Sequence, residues 1–126
     1  MTPQRIQLSR RKGFSLQRVS RELNGLPAIN CAPPGKWGNP YTIRGFVLDL
    51  ALDLFERSMQ GYWLASGIPD GMIDRAYHLH SEFRRQHNGH PLDASRTELR
   101  GYNLGCYCPL DKCCHVDFLL KVANQL

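Results

Sequence analysis

The chain has 126 residues, 42% of them hydrophobic, and its 16 basic and 11 acidic residues give a formal net charge of +5. That length suits one domain, residues 1–126, with a core large enough that the fold does not depend wholly on a bound metal. No stretch approaches the roughly 18 apolar residues of a membrane span, and the first four residues match neither a signal peptide nor a lipidation motif, so we expect a cytoplasmic protein with no membrane partner.

The positive charge is concentrated at the beginning of the chain. Residues 1–25 contain six basic side chains and one acidic side chain, whereas the basic and acidic residues that follow cancel. A first strand is predicted at 5–10, because polar and apolar residues alternate there, and it leads into a basic turn that ends at Gly13. Arg10, Arg11 and Lys12 in this turn can hold a phosphate group, although an ordinary solvated surface is the alternative.

A helix and a second strand are predicted next. Ser15 can cap a helix over 16–24, and Gly25 would end it. A short strand at 28–31 follows this helix. The order of a strand, a helix and a further strand is typical of α/β domains.

The loop at 32–41 is too rich in proline and glycine for regular structure, and it contains the motif Lys36-Trp37-Gly38-Asn39-Pro40. Trp37 can stack on a base or sugar, Asn39 can read a hydrogen-bonding edge, and Lys36 can neutralise a phosphate. In the alternative interpretation, Trp37 fills the edge of the core and Asn39 makes a local turn bond.

The middle of the chain is predicted to be mainly helical. Apolar residues recur at helical spacing over 46–60, and a second helix is predicted at 73–87 after a connector at 62–71. A loop is expected at 89–93, and 95–100 is predicted to be a short helix or turn. We expect the four histidines of this region to lie at the surface, because His78 and His80 point to different sides of a helix; they are His78, His80, His87 and His90.

Four of the five cysteines and one histidine fall within ten residues near the end of the chain. A strand at 102–107 leads into this segment, and a helix that starts at Val116 follows it. Thiolate and imidazole are the commonest ligands of structural zinc, so we predict a zinc site. Its ligands would be Cys106, Cys108, Cys114 and His115. The closing helix is expected to direct Phe118, Leu119, Val122 and Leu126 to the core.

Other interpretations of the cysteines stay open at this point. Cys113 competes with Cys114 as a ligand, because it also gives a spacing found in small zinc sites. The thiols could be buried small hydrophobic groups or could form a disulfide, although an odd number of cysteines argues for a reducing compartment. Finally, Cys114 at a helix start could be a catalytic thiolate, assisted by His115 or Asp117. Asp117 could instead accept a hydrogen bond from the imidazole of a metal-bound His115, or could simply follow the preference for acidic residues in the first turn of a helix.

Three motifs occur in order along the chain: the basic strand and turn at 5–13, the tryptophan motif at 36–41, and the cysteine segment at 99–115. By these motifs the sequence resembles the small bacterial and phage proteins of domain-of-unknown-function family 4326, from about residue 5 to about residue 124. The family name assigns no activity. The segment between Gly13 and Cys31 departs from the family pattern, because a helix replaces a more extended segment. The resemblance favours Cys114 over Cys113 and implies that two groups of residues belong to functional motifs, namely Trp37, Gly38, Asn39 and Pro40, and Cys106, Cys108, Cys114, His115 and Asp117.

The predicted fold is a small single α/β domain with a mixed or parallel central sheet flanked by helices. Ligands of such sheets bind beyond the carboxyl ends of the strands, so we expect the three motifs to meet at one cleft. The function predicted from them is a zinc-binding domain that binds or acts on a nucleotide or nucleic acid. With four protein ligands the zinc is expected to be structural rather than catalytic. The alternatives are a metal-free enzyme with Cys114 as nucleophile and a non-enzymatic nucleic-acid-binding protein that uses the basic N-terminal region.

Overall fold

A computed structural model describes residues 2–125, and three parallel strands form its centre: β1 (Arg5–Gln7), β2 (Ala28–Asn30) and β3 (Asn103–Cys106). The sheet order is β1-β3-β2, so the last strand of the chain lies between the first two. All four residues of β3 are buried, as is usual for a central parallel strand. The prediction of an α/β fold with a parallel sheet is confirmed. Each strand is shorter than the sequence pattern indicated.

Five helices surround this sheet. The 3-10 turns at Thr42–Arg44 and Asp70–Met72 precede two of them. The α-helices are α1 (Leu16–Asn24), α2 (Leu48–Gln60), α3 (Ile73–Gln86), α4 (Pro91–Glu98) and α5 (His115–Ala123). Among residues 2–125, none of the helices combines the length and the apolarity that crossing a membrane requires.

The ends of α1 follow the prediction. The Ser15 side chain accepts a hydrogen bond from the backbone N–H of Arg18 at 3.3 Å, and Gly25 ends the helix with φ of 81°. For α4 the predicted boundary was wrong, because the helix begins at Pro91 and includes part of the expected loop. Proline in the first helical turn has its φ already fixed at a helical value and lacks only an N–H that would have no helical partner.

The core lies between the sheet and helices α2, α3 and α5. Phe55 of α2, Leu104 of β3 and Leu119 of α5 are each fully buried there. Phe118 and Val122, also predicted to face the core, belong to or pack against the same cluster. Leu126 lies outside the described residues.

The prediction for the histidines was wrong at two positions. His80 is 6% exposed and His87 is 2% exposed, whereas His78 and His90 are exposed as expected. His87 stacks on Trp37 with ring centroids 4.1 Å apart, and His80 Nδ1 lies 3.1 Å from the hydroxyl of Ser58. Both histidines follow Ala76 on the buried face of α3 at helical spacing, so burial of that face carries them inside with it.

Candidate metal centre

Strand β3, the loop after it and the start of α5 bring the cysteine segment together. Cys106 is the last residue of β3, Cys108 lies in the loop, and Cys114 is the residue that caps α5. Cys114 has an extended backbone, with φ of −145° and ψ of 149°, before His115 begins the helix. This change of conformation lets two adjacent side chains converge, as the sequence predicted for a helix cap.

The ligand atoms of Cys106, Cys114 and His115 all lie within 4.8 Å of one another, and all three residues are buried. Cys108 is outside this mutual group, but its sulfur is 3.8 Å from that of Cys106. Cys113 is exposed and does not belong to the group, so the geometry selects Cys114 as the member that clusters with His115. All five cysteines are free thiols, which leaves the disulfide interpretation without a bonded pair.

The spacing of these atoms can be compared with that of a tetrahedral zinc site. Zn–S bonds of about 2.3 Å and Zn–N bonds of about 2.0–2.1 Å place two sulfurs about 3.8 Å apart and a sulfur and a nitrogen about 3.6 Å apart. The Cys106–Cys108 sulfurs are 3.8 Å apart, and the Cys114 sulfur is 3.6 Å from His115 Nδ1. Two edges of the required tetrahedron are therefore already present in the arrangement of the side chains.

The imidazole of His115 is held in the orientation that a metal needs. Its Nε2 lies 2.8 Å from the backbone carbonyl oxygen of Cys31. A carbonyl only accepts hydrogen bonds, so Nε2 carries a proton, and Nδ1, which lies beside the Cys114 sulfur, is the nitrogen that can bind a metal. The imidazole N–H therefore donates to the backbone carbonyl of Cys31, directly after β2. The expectation that the Asp117 carboxylate would accept this hydrogen bond was wrong.

Asp117 instead completes the start of α5. Its carboxylate accepts a hydrogen bond from the backbone N–H of Cys114 at 3.2 Å, the arrangement of a capping box. Its other oxygen lies 3.5 Å from Nε of Arg5. The carboxylate is therefore engaged with the backbone and with β1, and its role is to fix the position of Cys114.

Arg5 joins β1 to the cysteine loop. Its side chain is 8% exposed, and Nη2 lies within hydrogen-bonding distance of three loop carbonyl oxygens. These belong to Pro109 at 3.3 Å, Leu110 at 2.8 Å and Lys112 at 2.8 Å. No sequence pattern indicates this contact, because an arginine in a basic N-terminal strand looks the same in the sequence whether its side chain is solvated or buried.

The pKa values of the cysteine thiols in this cluster are shifted in opposite directions. The pKa of Cys114 is lowered, first by the hydrogen bond from Cys106 and then by the neighbouring His115 imidazole. The same contact with Cys114, together with burial, raises the pKa of Cys106, and burial raises the pKa of Cys108. Burial also raises the pKa of the nearby Cys31 thiol to about 12. The cluster thus favours one thiolate, stabilised by its neighbours, and a bound cation would favour more.

A cavity of about 260 Å³ opens directly onto the cluster. Arg10 and Tyr107 form part of its wall, with the guanidinium 4.2 Å from the centre of the aromatic ring. Arg11 and Lys12 line a separate, exposed cavity that also includes Gln7 and Phe14. The predicted basic turn is therefore divided, and Arg10 is the member that lies beside the cysteines.

The residues of the tryptophan motif lie mostly inside the protein. Trp37 is 5% exposed and donates through Nε1 to Glu98 at 3.2 Å, while Lys36 pairs with the same carboxylate at 2.8 Å. Asn39 is fully buried; its amide donates to the carbonyl of Ala51 at 3.1 Å and accepts from the backbone N–H of Tyr41 at 2.9 Å.

These contacts test the prediction that the three motifs meet at one cleft. Pro33, in the loop at 32–41, and Thr42, directly after that loop, line the cavity beside the cysteines together with Arg10. Trp37 and Asn39 do not, and the expectation that their side chains face that cleft was wrong. Their polar groups are used within the protein to hold the loop in place. Cys31 was missed as a contributor, although its place at the carboxyl end of a strand could have indicated it.

Comparison with known proteins places the chain in one family. A family profile matches residues 6–125, and the family is described as Domain of unknown function (DUF4326). No curated protein and no solved structure matches the chain.

Proposed function

We propose that this chain, which belongs to the family described as Domain of unknown function (DUF4326), is a zinc-binding domain that binds a nucleotide or nucleic acid beside its metal centre. The metal would be held by Cys106, Cys108, Cys114 and His115. The observation that carries the proposal is the agreement between the two measured ligand separations, 3.8 Å and 3.6 Å, and those of a tetrahedral zinc site. The imidazole orientation fixed by Cys31 supports the same conclusion, since metal-bound histidines usually donate their other ring N–H to such an acceptor.

The role of this zinc is structural. Four protein ligands leave no open position for water or substrate, and a closed set of this kind stabilises the elements that supply it. Here these are β3, the loop after it and α5, while Cys31 adds β2 through the imidazole. Bound zinc would keep this edge of the sheet in one conformation and thereby fix the wall of the adjoining cavity.

A phosphate-bearing ligand is supported by the charge around this centre. Arg10 and Tyr107 present a cation and an aromatic ring next to each other at the cavity, a combination that suits a nucleotide. Arg11 and Lys12 extend the positive charge along the neighbouring surface. If the ligand is a nucleic acid held mainly by these surface charges, its affinity should fall steeply as the salt concentration rises. Measuring the Kd of an oligonucleotide between 50 and 200 mM NaCl tests this.

Metal analysis tests the zinc site directly. Protein purified without a histidine tag should contain about one zinc per chain, and C114S and H115Q should contain less than about a tenth of that. The matched control is C113S, which removes an exposed neighbouring thiol that lies outside the cluster and should retain the metal. Less than a tenth of an equivalent in the wild-type protein, or metal lost in C113S and kept in C114S, would contradict the proposal.

The alternative of a metal-free enzyme with Cys114 as nucleophile has weaker geometric support. The Cys114 residue is 4% exposed, and the Asp117 carboxylate is occupied by the Cys114 backbone and by Arg5. Labelling of Cys114 by iodoacetamide at neutral pH that is rapid and stays rapid when zinc is added would favour this alternative, because a structural zinc would protect the thiolate.

A further inference from the structure

A third cavity is lined by residues of α3 and of the loop at 32–41 that contains Trp37 (the tryptophan loop). It has a volume of about 440 Å³, within the roughly 300–1,000 Å³ typical of small-molecule sites, whereas the cavity at the cysteines, with about 260 Å³, is below that range. Pro33 and Ile43 line both cavities, so the two are neighbours that share a wall. The larger cavity therefore has the room that a small organic ligand needs, next to the proposed metal centre.

The charge of this cavity is positive. Arg44 and Arg75 both line it, and Nη1 of Arg75 donates to the backbone carbonyl of Arg44 at 3.2 Å, which holds the two residues together. Within residues 2–125, neither arginine has a carboxylate at ion-pair distance. Glu82 also lines the cavity, but it is paired with Arg85. Two arginines that line one cavity without a carboxylate partner are suited to an anionic group, because a guanidinium can bind two phosphate oxygens through parallel hydrogen bonds.

Part of the wall is apolar. Phe83 and Leu79 of α3 and Pro34 and Pro40 of the loop line the cavity, beside polar side chains of α3 that include His78 and Glu82. An apolar wall beside a pair of cations fits a ligand with a flat, weakly polar body and a phosphate group, which is the chemistry of a nucleotide.

The residues of the tryptophan motif shape one wall of this cavity. Gly38 lines the cavity, and a Cβ atom at this position would lie 2.5 Å from Cα of Pro33, so the two loop segments pack as closely as only glycine allows. Trp37 and Asn39, on either side of Gly38, fasten the loop from within through Glu98 and Ala51. These two side chains are positioning residues that shape the cavity.

We propose that this cavity binds a mononucleotide, with its phosphate on Arg44 and Arg75 and its nucleoside against the wall formed by α3 and the loop. The inference rests on the proposed function for the class of ligand. It places the phosphate on Arg44 and Arg75 rather than beside Arg10, because the cavity at Arg10 is below the size typical of small-molecule sites. A mononucleotide is favoured over a nucleic acid because the two exposed arginines lie at a cavity that is less open than the one beside Arg11 and Lys12.

Calorimetric titration of the zinc-containing protein at fixed ionic strength tests this assignment, with AMP, adenosine, inorganic phosphate and a ten-residue oligo(dT) as probes. R44Q and R75Q should each raise the Kd for AMP by about tenfold or more, because each removes a charge-assisted hydrogen bond. Adenosine should bind more weakly than AMP. The matched control is R21Q, which removes one exposed charge on α1 away from this cavity and should keep the Kd within about twofold.

The outcomes separate this inference from the proposal on which it rests. Unchanged AMP affinity in both R44Q and R75Q would overturn it, as would a wild-type protein that binds the oligonucleotide but not AMP. Binding of inorganic phosphate alone, with no gain from the nucleoside, would also count against a nucleotide. Zinc measured in the same samples reports on the metal centre independently, since neither arginine is one of its proposed ligands.

Discussion

Replacing Arg5 by methionine tests whether the cysteine loop is held by β1. Methionine retains much of the length of the side chain but removes its hydrogen bonds. Arg5 Nη2 carries two hydrogens, so of the three loop carbonyls within 3.3 Å at most two receive a full hydrogen bond at one time. Because the carbonyls belong to exposed residues that water can reach, the lower value of about 1.5 kcal/mol for each bond to a charged group applies.

Two further terms are small or act in the opposite direction. The ion pair with Asp117 is worth less than about 1 kcal/mol, because the carboxylate side chain is 54% exposed. Nη1 of Arg5 is buried without a hydrogen-bond partner, and its removal recovers part of the cost of burying it. The expected loss in the free energy of unfolding is therefore about 2 kcal/mol, which leaves a domain of this size folded.

Urea unfolding of the zinc-free protein, followed by far-ultraviolet circular dichroism, measures this loss. The control is R18M, because Arg18 makes one exposed hydrogen bond, to the carbonyl of Gly13 at 3.0 Å, and its loss should cost no more than about 0.5 kcal/mol. If R5M unfolds within about 0.5 kcal/mol of the wild type, Arg5 does not hold the loop and this account of it is wrong.

Two further predictions concern positions away from the metal. G38A should lower the free energy of unfolding by about 2 kcal/mol or more, because its Cβ would lie 2.5 Å from Cα of Pro33. The control in the same urea titration is G71A, whose Cβ would meet nothing within 4 Å and which should change the free energy of unfolding by less than about 0.5 kcal/mol. Burial, assisted by the charge of Lys36, lowers the pKa of His87 from its ordinary value of 6.5, so the unfolded chain takes up the proton first as the pH falls. Stability should therefore decrease between pH 7 and pH 5, and by less in H87Q; equal losses in the two proteins would contradict this.

Those residues whose role follows from local chemistry were predictable from the sequence. The α1 helix was found because Ser15 and Gly25 act on neighbouring backbone groups. The clustering of Cys106, Cys114 and His115 was likewise found, because their types and spacing already limit the geometry.

Contacts between distant segments were not predictable in this way. Trp37 and Asn39 have the residue types of a ligand site, and only the packed structure shows that Glu98 and Ala51 use their polar groups. His87 was expected at the surface together with the other three histidines of its region, yet its ring stacks on Trp37. In both cases the partner is more than ten residues away, and no local pattern records it.

The strand order explains why one edge of this protein carries the site. Because β3 lies between β1 and β2 and all three are parallel, their carboxyl ends place Cys31 and Cys106 side by side, while Arg5 reaches over the loop from β1. The four proposed ligands all lie within residues 106–115, and the sheet brings their supporting groups, the Cys31 carbonyl and the Arg5 side chain, to them. A domain of this length can form its core without metal, so zinc would bind to a protein that is already folded. The stabilisation that zinc provides should then increase with the concentration of free zinc relative to the Kd of the site.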